Sequence, residues 1–258
     1  MTLAALPMYD RPELQAEHDA LWSAIRDGLA ARGVAAPAML DRAVGLFEGW
    51  RDPGLVLGQT CSLPFRSQLA GTVTVLGTFD YGLPDTAPGY YHSVIAAPAG
   101  FDPAGIAAAG IAGARIAINQ PHSQSGWAAM ADWLTPRRPL PDSVLETGGH
   151  RATALALAEG QADLGAIDAV TFRLIERFEP ALAARLQIVD RTARTPALPL
   201  ITAAGHDPAP IRDAIIEALA ACPTAAADLG LRGFVAMPEA AYLSLPMPAP
   251  APVRLPVS

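Results

Sequence analysis

Short apolar runs alternate along this chain with longer segments of helical periodicity, the pattern expected of an α/β fold. Residues 3–8 read as a first strand. From Pro12 to Arg32 the apolar or half-apolar positions Leu14, His18, Leu21, Trp22, Ile25 and Leu29 share one helical face, and Gly33 ends it. Further strands are expected at 55–57, 73–76 and 90–97. Three more follow in "ARIAIN", "SVLET" and "ADLGAI", separated by helical segments at 125–134, 150–159 and about 169–185. "LQIVD" reads as a strand before a last helix near 208–221, where Ile211, Ile215, Ile216 and Leu219 share a face. The proline-rich end "MPAPAPVRLPVS" reads as an extended tail.

Two α/β lobes fit this pattern better than one long sheet. Strand-like segments bounded by Pro and Gly near 90–97 and 188–199 are the expected crossings. They divide the chain into lobe I, 1–90 plus 192–258, and lobe II, 91–191. Two crossings make a hinge, and a cleft between lobes is where a ligand would sit.

Composition removes several functions. A chain of 258 residues, 51% hydrophobic and 17% charged, is long enough to bury a substantial core. The net charge of −7 argues against a nucleic-acid partner, which needs a basic face. All 18 basic residues are arginine, so a P-loop lysine, a pyridoxal-phosphate Schiff base and a lysine nucleophile are absent. No cofactor is expected. Cys61 and Cys222 are too few for a disulfide scaffold or a metal motif. The N-terminal segment lacks the basic and apolar regions of a signal peptide, and no apolar run has membrane-spanning length. The location expected is cytoplasmic, or periplasmic if a leader has been removed.

Three stretches carry candidate chemistry. In "NQPHSQSGW", Ser123, Gln124, Ser125 and Gly126 stand between a strand and a helix. A serine there caps a helix, or hydroxyls and backbone N–H groups bind an oxyanion, with Gly126 allowing close approach. A nucleophilic serine would need a G-x-S-x-G elbow, which is missing. In "TGGHRATALALAEGQADLGAID", His150 opens a helix, as a surface cap or as a partner for an anion. Asp163 reads as a local cap or turn residue, and Asp168 ends a strand where open α/β sheets present ligand groups. In "PGYYHSVIA", Tyr90 and Tyr91 are packing residues, or one phenol reaches a ligand. The turn "QTCSLP" offers Gln59, Thr60 and Ser62.

In their order, "PGYYHSVIA", "SQSG" before a helix and "GGHRATALALAEGQADLGAID" resemble the phosphate/phosphite/phosphonate-type substrate-binding proteins of ABC importers. The likeness runs from residue 88 to 242 and weakens after 190. It implies the two-lobed periplasmic-binding-protein-like fold, type II, closing on a small oxyanion-bearing ligand, with an ABC permease as partner and no catalytic residue. It also implies that Ser123, Gln124 through its backbone, Ser125 and His150 hold the oxyanion. Tyr91 or Tyr90 would line the cleft, and Asp168 would meet a ligand amine or hydroxyl. Tyr9, Gln59 and Thr60 enter by position in the first lobe. Gln124 departs from the family's usual small hydroxyl residue. Two other readings stand beside this one: a cytoplasmic enzyme of cofactor or metabolite biosynthesis on the same fold, and a ferric-ion binder using Tyr90, Tyr91 and a carboxylate.

Overall fold

The apolar face between Leu14 and Leu29 becomes the buried side of a helix, Gln15–Ala31, entered through a 3-10 turn at Pro12–Leu14. Proline suits that entry, because its missing N–H is one that a helix start leaves unpaired anyway. The helix packs on a second, Pro208–Ala221. A β-carbon at Gly28 would lie 3.2 Å from the Ala214 β-carbon, so the glycine permits the close approach. The buried face of Pro208–Ala221 is Ile211, Ala214, Ile215 and Ala218. Ile216, expected on that face, is exposed. Alanine fills the positions where the neighbouring backbone comes nearest. The computed structural model describes residues 2–102, 111, 113–137, 141 and 144–254.

These helices belong to the first of two units, Met1–Tyr90 with Pro196–Leu245. Its sheet runs in the order Leu3–Ala5, Leu55–Gln59, Pro199–Ala203, Val73–Asp80, Gly233–Val235. The first two strands are parallel, while Pro199–Ala203 is antiparallel to both of its neighbours. All five residues of Pro199–Ala203 are buried, and this central strand was not expected from the apolar pattern.

The second unit is Tyr91–Thr195 with Pro246–Ser258. Its sheet is ordered Val253–Arg254, Val144–Glu146, Ile116–Ile118, Leu164–Asp168, Ser93–Pro98, Leu186–Arg191. The first four strands run parallel, and Ser93–Pro98 is antiparallel to both neighbours. Ile95, Ile116, Ile118, Trp127, Met130, Leu134 and Leu164 form its core. Helix His150–Ala158 lies so near the sheet that a β-carbon at Gly165 would come within 2.7 Å of Thr153 Cγ2.

Two expectations change here. The tail, expected with lobe I, groups with the second unit. Its Pro252 carbonyl accepts from Val144 N–H (2.8 Å), the Trp127 indole N–H donates to the Ala249 carbonyl (2.6 Å), and Val253–Arg254 adds an edge strand. An edge is the place where a proline-rich strand is tolerated, because its missing donors need no partner. The helix expected at 169–185 ends at Phe178 and resumes as Pro180–Ala183. Pro180 removes a donor and forces Glu179 out of helical geometry (φ −133°, ψ 54°).

Candidate functional site

Because Ile116–Ile118, Val144–Glu146 and Leu164–Asp168 are parallel, their carboxyl ends lie on one side of the second unit. The first two strands lead through short loops into Gln124–Ala128, continuing as Ala129–Leu134, and His150–Ala158, and the third passes directly into Ala169–Phe178. Three helix N-termini therefore face the same rim, with their first-turn N–H groups and positive dipole ends. The loops are tied together. Thr147 N–H donates to the Ile118 carbonyl (2.9 Å) and Gly148 N–H to the Asn119 carbonyl (2.8 Å). Thr147 Oγ1 lies 2.8 Å from Thr153 Oγ1, bracing the turn at its helix side.

Within this rim the hydroxyls of "SQSG" meet His150. Ser123 Oγ accepts from Gly126 N–H (3.0 Å) and from Asn119 Nδ2 (3.1 Å). With both lone pairs engaged, the Ser123 hydroxyl hydrogen is left to be given away. Ser125 Oγ lies 2.8 Å from His150 Nε2 and 3.5 Å from Ser123 Oγ. Asn119 Nδ2 also lies 3.2 Å from His150 Nε2. Ser93, on the neighbouring antiparallel strand, donates through Oγ to the Ser125 carbonyl (2.7 Å). Ser93, Asn119, Ser123, Gln124 and Ser125 are all buried. A β-carbon on Gly126 would overlap Asn119 Oδ1, so the loop closes only with glycine at this position.

The site's side-chain donors are neutral. Burial lowers the His150 pKa from its ordinary 6.5 to about 4, a shift that the Ala166 carbonyl partly opposes. The ring is therefore uncharged at neutral pH. A small anion at this rim would meet hydroxyls and helix N-termini, and among the described residues no buried arginine stands there whose charge would need a partner when the anion left.

The cap and anion readings of Ser123 are both compatible with this geometry, since capping uses its oxygen and leaves its hydrogen. Asp168 is 2% exposed, and its Oδ1 accepts from Val170 N–H (2.8 Å) and Thr171 N–H (3.0 Å), capping the third helix. Asp163 pairs with Arg115 at 2.6 Å, and that guanidinium lowers its carboxyl pKa. Tyr91 is buried, while Tyr90 is half-buried against the first unit's core. In the first unit, Gln59 Nε2 donates to Tyr81 Oη (3.0 Å), and Tyr9 meets the Tyr81 ring edge-to-face at 5.0 Å. Tyr9 holds a φ of 66°, an uncommon conformation for a residue with a side chain. Thr60 is fully buried, its N–H donating to the Pro199 carbonyl. Asn119, Ser93 and Tyr81 were not singled out in the sequence. Asn119 stands inside the quoted loop, but an amide at a strand end has many roles. Among the described residues no group of three or more His, Cys, Asp or Glu is placed to hold a metal, and no helix is long and apolar enough to cross a membrane.

The family model described as "ABC transporter, phosphonate, periplasmic substrate-binding protein" matches residues 67–242, more than half of the chain and all of this hydroxyl loop and histidine. The chain belongs to this family. As a phosphonate-type substrate-binding protein it is part of an ABC importer system rather than an enzyme, and its fold is the type II fold of periplasmic binding proteins. PhnD1 of Prochlorococcus marinus, solved with methylphosphonate, superimposes with a TM-score of 0.69 at 13% identity, covering 93% of this chain and 94% of that one. A Xanthomonas citri protein solved with chloride gives 0.68 at 17% identity, covering 93% and 92%. A binding-protein component of a Pseudomonas aeruginosa ABC phosphonate transporter gives 0.65 at 17% identity, covering 93% and 82%. No curated protein matches the chain by sequence.

Proposed function

We propose that this chain receives a small phosphonate, phosphate or similar oxyanion at the rim formed by Ser123–Gly126 and His150. The observation that carries this is the state of Ser123. Its oxygen is used twice as an acceptor, which leaves its hydrogen for Ser125 Oγ, 3.5 Å away, or for an anion bound beside that serine and a helix N-terminus. Ser123 and Ser125 supply hydroxyl donors, Gln124 and Gly126 supply backbone, and the neutral His150 completes the cradle. Within the second unit, Tyr91 and Asp168 are the residues we assign to the remainder of the ligand. The protein then delivers its ligand to an ABC permease. Its place is the periplasm if it is made with a leader that is removed, and the cytoplasm otherwise.

Thermal unfolding in the presence of methylphosphonate, phosphite and inorganic phosphate tests the assignment. At least one of these should raise the Tm of the wild type, since a ligand that binds only the fold stabilises it by mass action. Ser125→Ala and Ser123→Ala should each remove most of that rise. A rise that survives intact in both variants would overturn the site.

A further inference from the structure

We infer that Asn119 is a positioning residue that sets the hydrogen-bond direction of both serines and makes the Ser125 hydroxyl transferable to an anion. This rests on the oxyanion reading above. The geometry begins with one side-chain nitrogen, Asn119 Nδ2, 3.1 Å from Ser123 Oγ and 3.2 Å from His150 Nε2. An amide nitrogen carries two hydrogens and accepts nothing, so it can serve both neighbours only as a donor. The opposite amide orientation would leave two buried donors facing the Gly126 backbone. The present one leaves only Asn119 Oδ1 unpartnered, the smaller cost.

The consequence for His150 is definite. If Asn119 donates to Nε2, that nitrogen carries no hydrogen, and the hydrogen of the neutral ring is on Nδ1. The Asp168 N–H lies 3.4 Å from Nδ1, a long hydrogen bond that this tautomer gives up for the shorter contacts at Nε2. Ser125 then also donates to Nε2 over its 2.8 Å contact in the empty site, sharing the nitrogen's single lone pair with the longer Asn119 contact. When an anion arrives, Ser125 turns its hydrogen to the ligand, and Nε2 keeps the Asn119 hydrogen. Without Asn119 that turn would strand a buried acceptor. His150 is thus a resting place for the Ser125 proton donor, and Asn119 is what lets Ser125 leave it.

The test uses the full chain with ¹⁵N-labelled histidine, methylphosphonate, phosphite and phosphate as probes, and the variants Asn119→Ala and Asn119→Asp. In the empty wild type, His150 Nε2 should show the unprotonated ring-nitrogen signal. Asn119→Ala should bind the best probe about ten-fold more weakly, the worth of one hydrogen bond, and should move the His150 titration upward, since a donor to Nε2 favours the neutral ring. The nearly isosteric Asn119→Asp should move it further upward and abolish binding. A residue with a merely structural role would leave the histidine titration in place. A protonated Nε2 in the empty wild type, or wild-type binding by Asn119→Ala, overturns the inference. If the wild type binds none of the probes, the oxyanion reading falls. The Nε2 signal and the titrations of the two variants then decide the role of Asn119 by themselves, an unmoved titration counting against it.

Discussion

Ser93 Oγ donates to the carbonyl oxygen of Ser125 over 2.7 Å, joining an antiparallel strand to the loop that carries the site's hydroxyls. Ser93 is 1% exposed, so nothing from solvent replaces it. Ser93→Ala leaves the Ser125 carbonyl buried without that donor, at a cost of about 1–3 kcal/mol. A chemical denaturation midpoint should fall with an unchanged slope, and anion binding should weaken with it. An unchanged midpoint would show that the loop holds its position without this bond.

The low pKa of His150 makes stability depend on pH in a fixed direction. The folded ring titrates at about 4 and the unfolded one near 6.5. Above 6.5 both states are neutral and the group contributes no slope. Between 6.5 and 4 the unfolded chain takes up a proton that the fold refuses, so stability falls by on the order of 1–3 kcal/mol. His18 is shifted the same way, by burial, and Asp10 opposes it. The decisive measurement is therefore a difference: the Tm drop from pH 7 to pH 4.5 should be smaller in His150→Gln than in the wild type.

Gly126 has no room for a methyl group. Gly126→Ala drives a β-carbon into Asn119 Oδ1 and disturbs the two bonds of the Asn119 amide nitrogen. The expected result is destabilisation of a few kcal/mol, as overpacked cores show, together with loss of ligand-induced stabilisation. Gly113→Ala, where a β-carbon meets nothing within 4 Å, is the control and should leave binding unchanged.

Gln124 is buried in the loop between Ser123 and Ser125, and by the resemblance stated above it replaces a small hydroxyl residue. Gln124→Thr would add a hydroxyl to the cradle. One extra donor is worth about two- to ten-fold in affinity. Titration calorimetry with methylphosphonate and phosphate should show their affinity ratio changed by that order. An unaltered ratio would exclude this position from ligand choice.

What the sequence made legible followed from periodicity and from groups whose geometry is local. The face of Gln15–Ala31 and the short strands could be read because each buries one side or both. Ser123 could be read as a cap because its partner is three residues away. Pro199–Ala203 could not: prolines at 196 and 199 mark it as a linker, although it is the middle strand of its sheet. Asn119 was hidden for another reason. Its partner His150 is 31 residues away, and only the parallel pairing of Ile116–Ile118 with Val144–Glu146 brings them together. The tail misled in a third way, since proline content describes stiffness and says nothing about which sheet a chain joins.

Residues 253–254 add the edge strand of the second unit's sheet, yet they follow the strand they pair with by more than a hundred residues. On a ribosome, Val144–Glu146 is made more than a hundred residues before its outer partner emerges. Until then that strand presents an open hydrogen-bonding edge, the feature through which nascent chains pair with one another. Synthesis of residues 246–254 is therefore the event that covers this edge, and a chain stopped at Leu245 should be prone to aggregation even where its hydroxyl loop is intact.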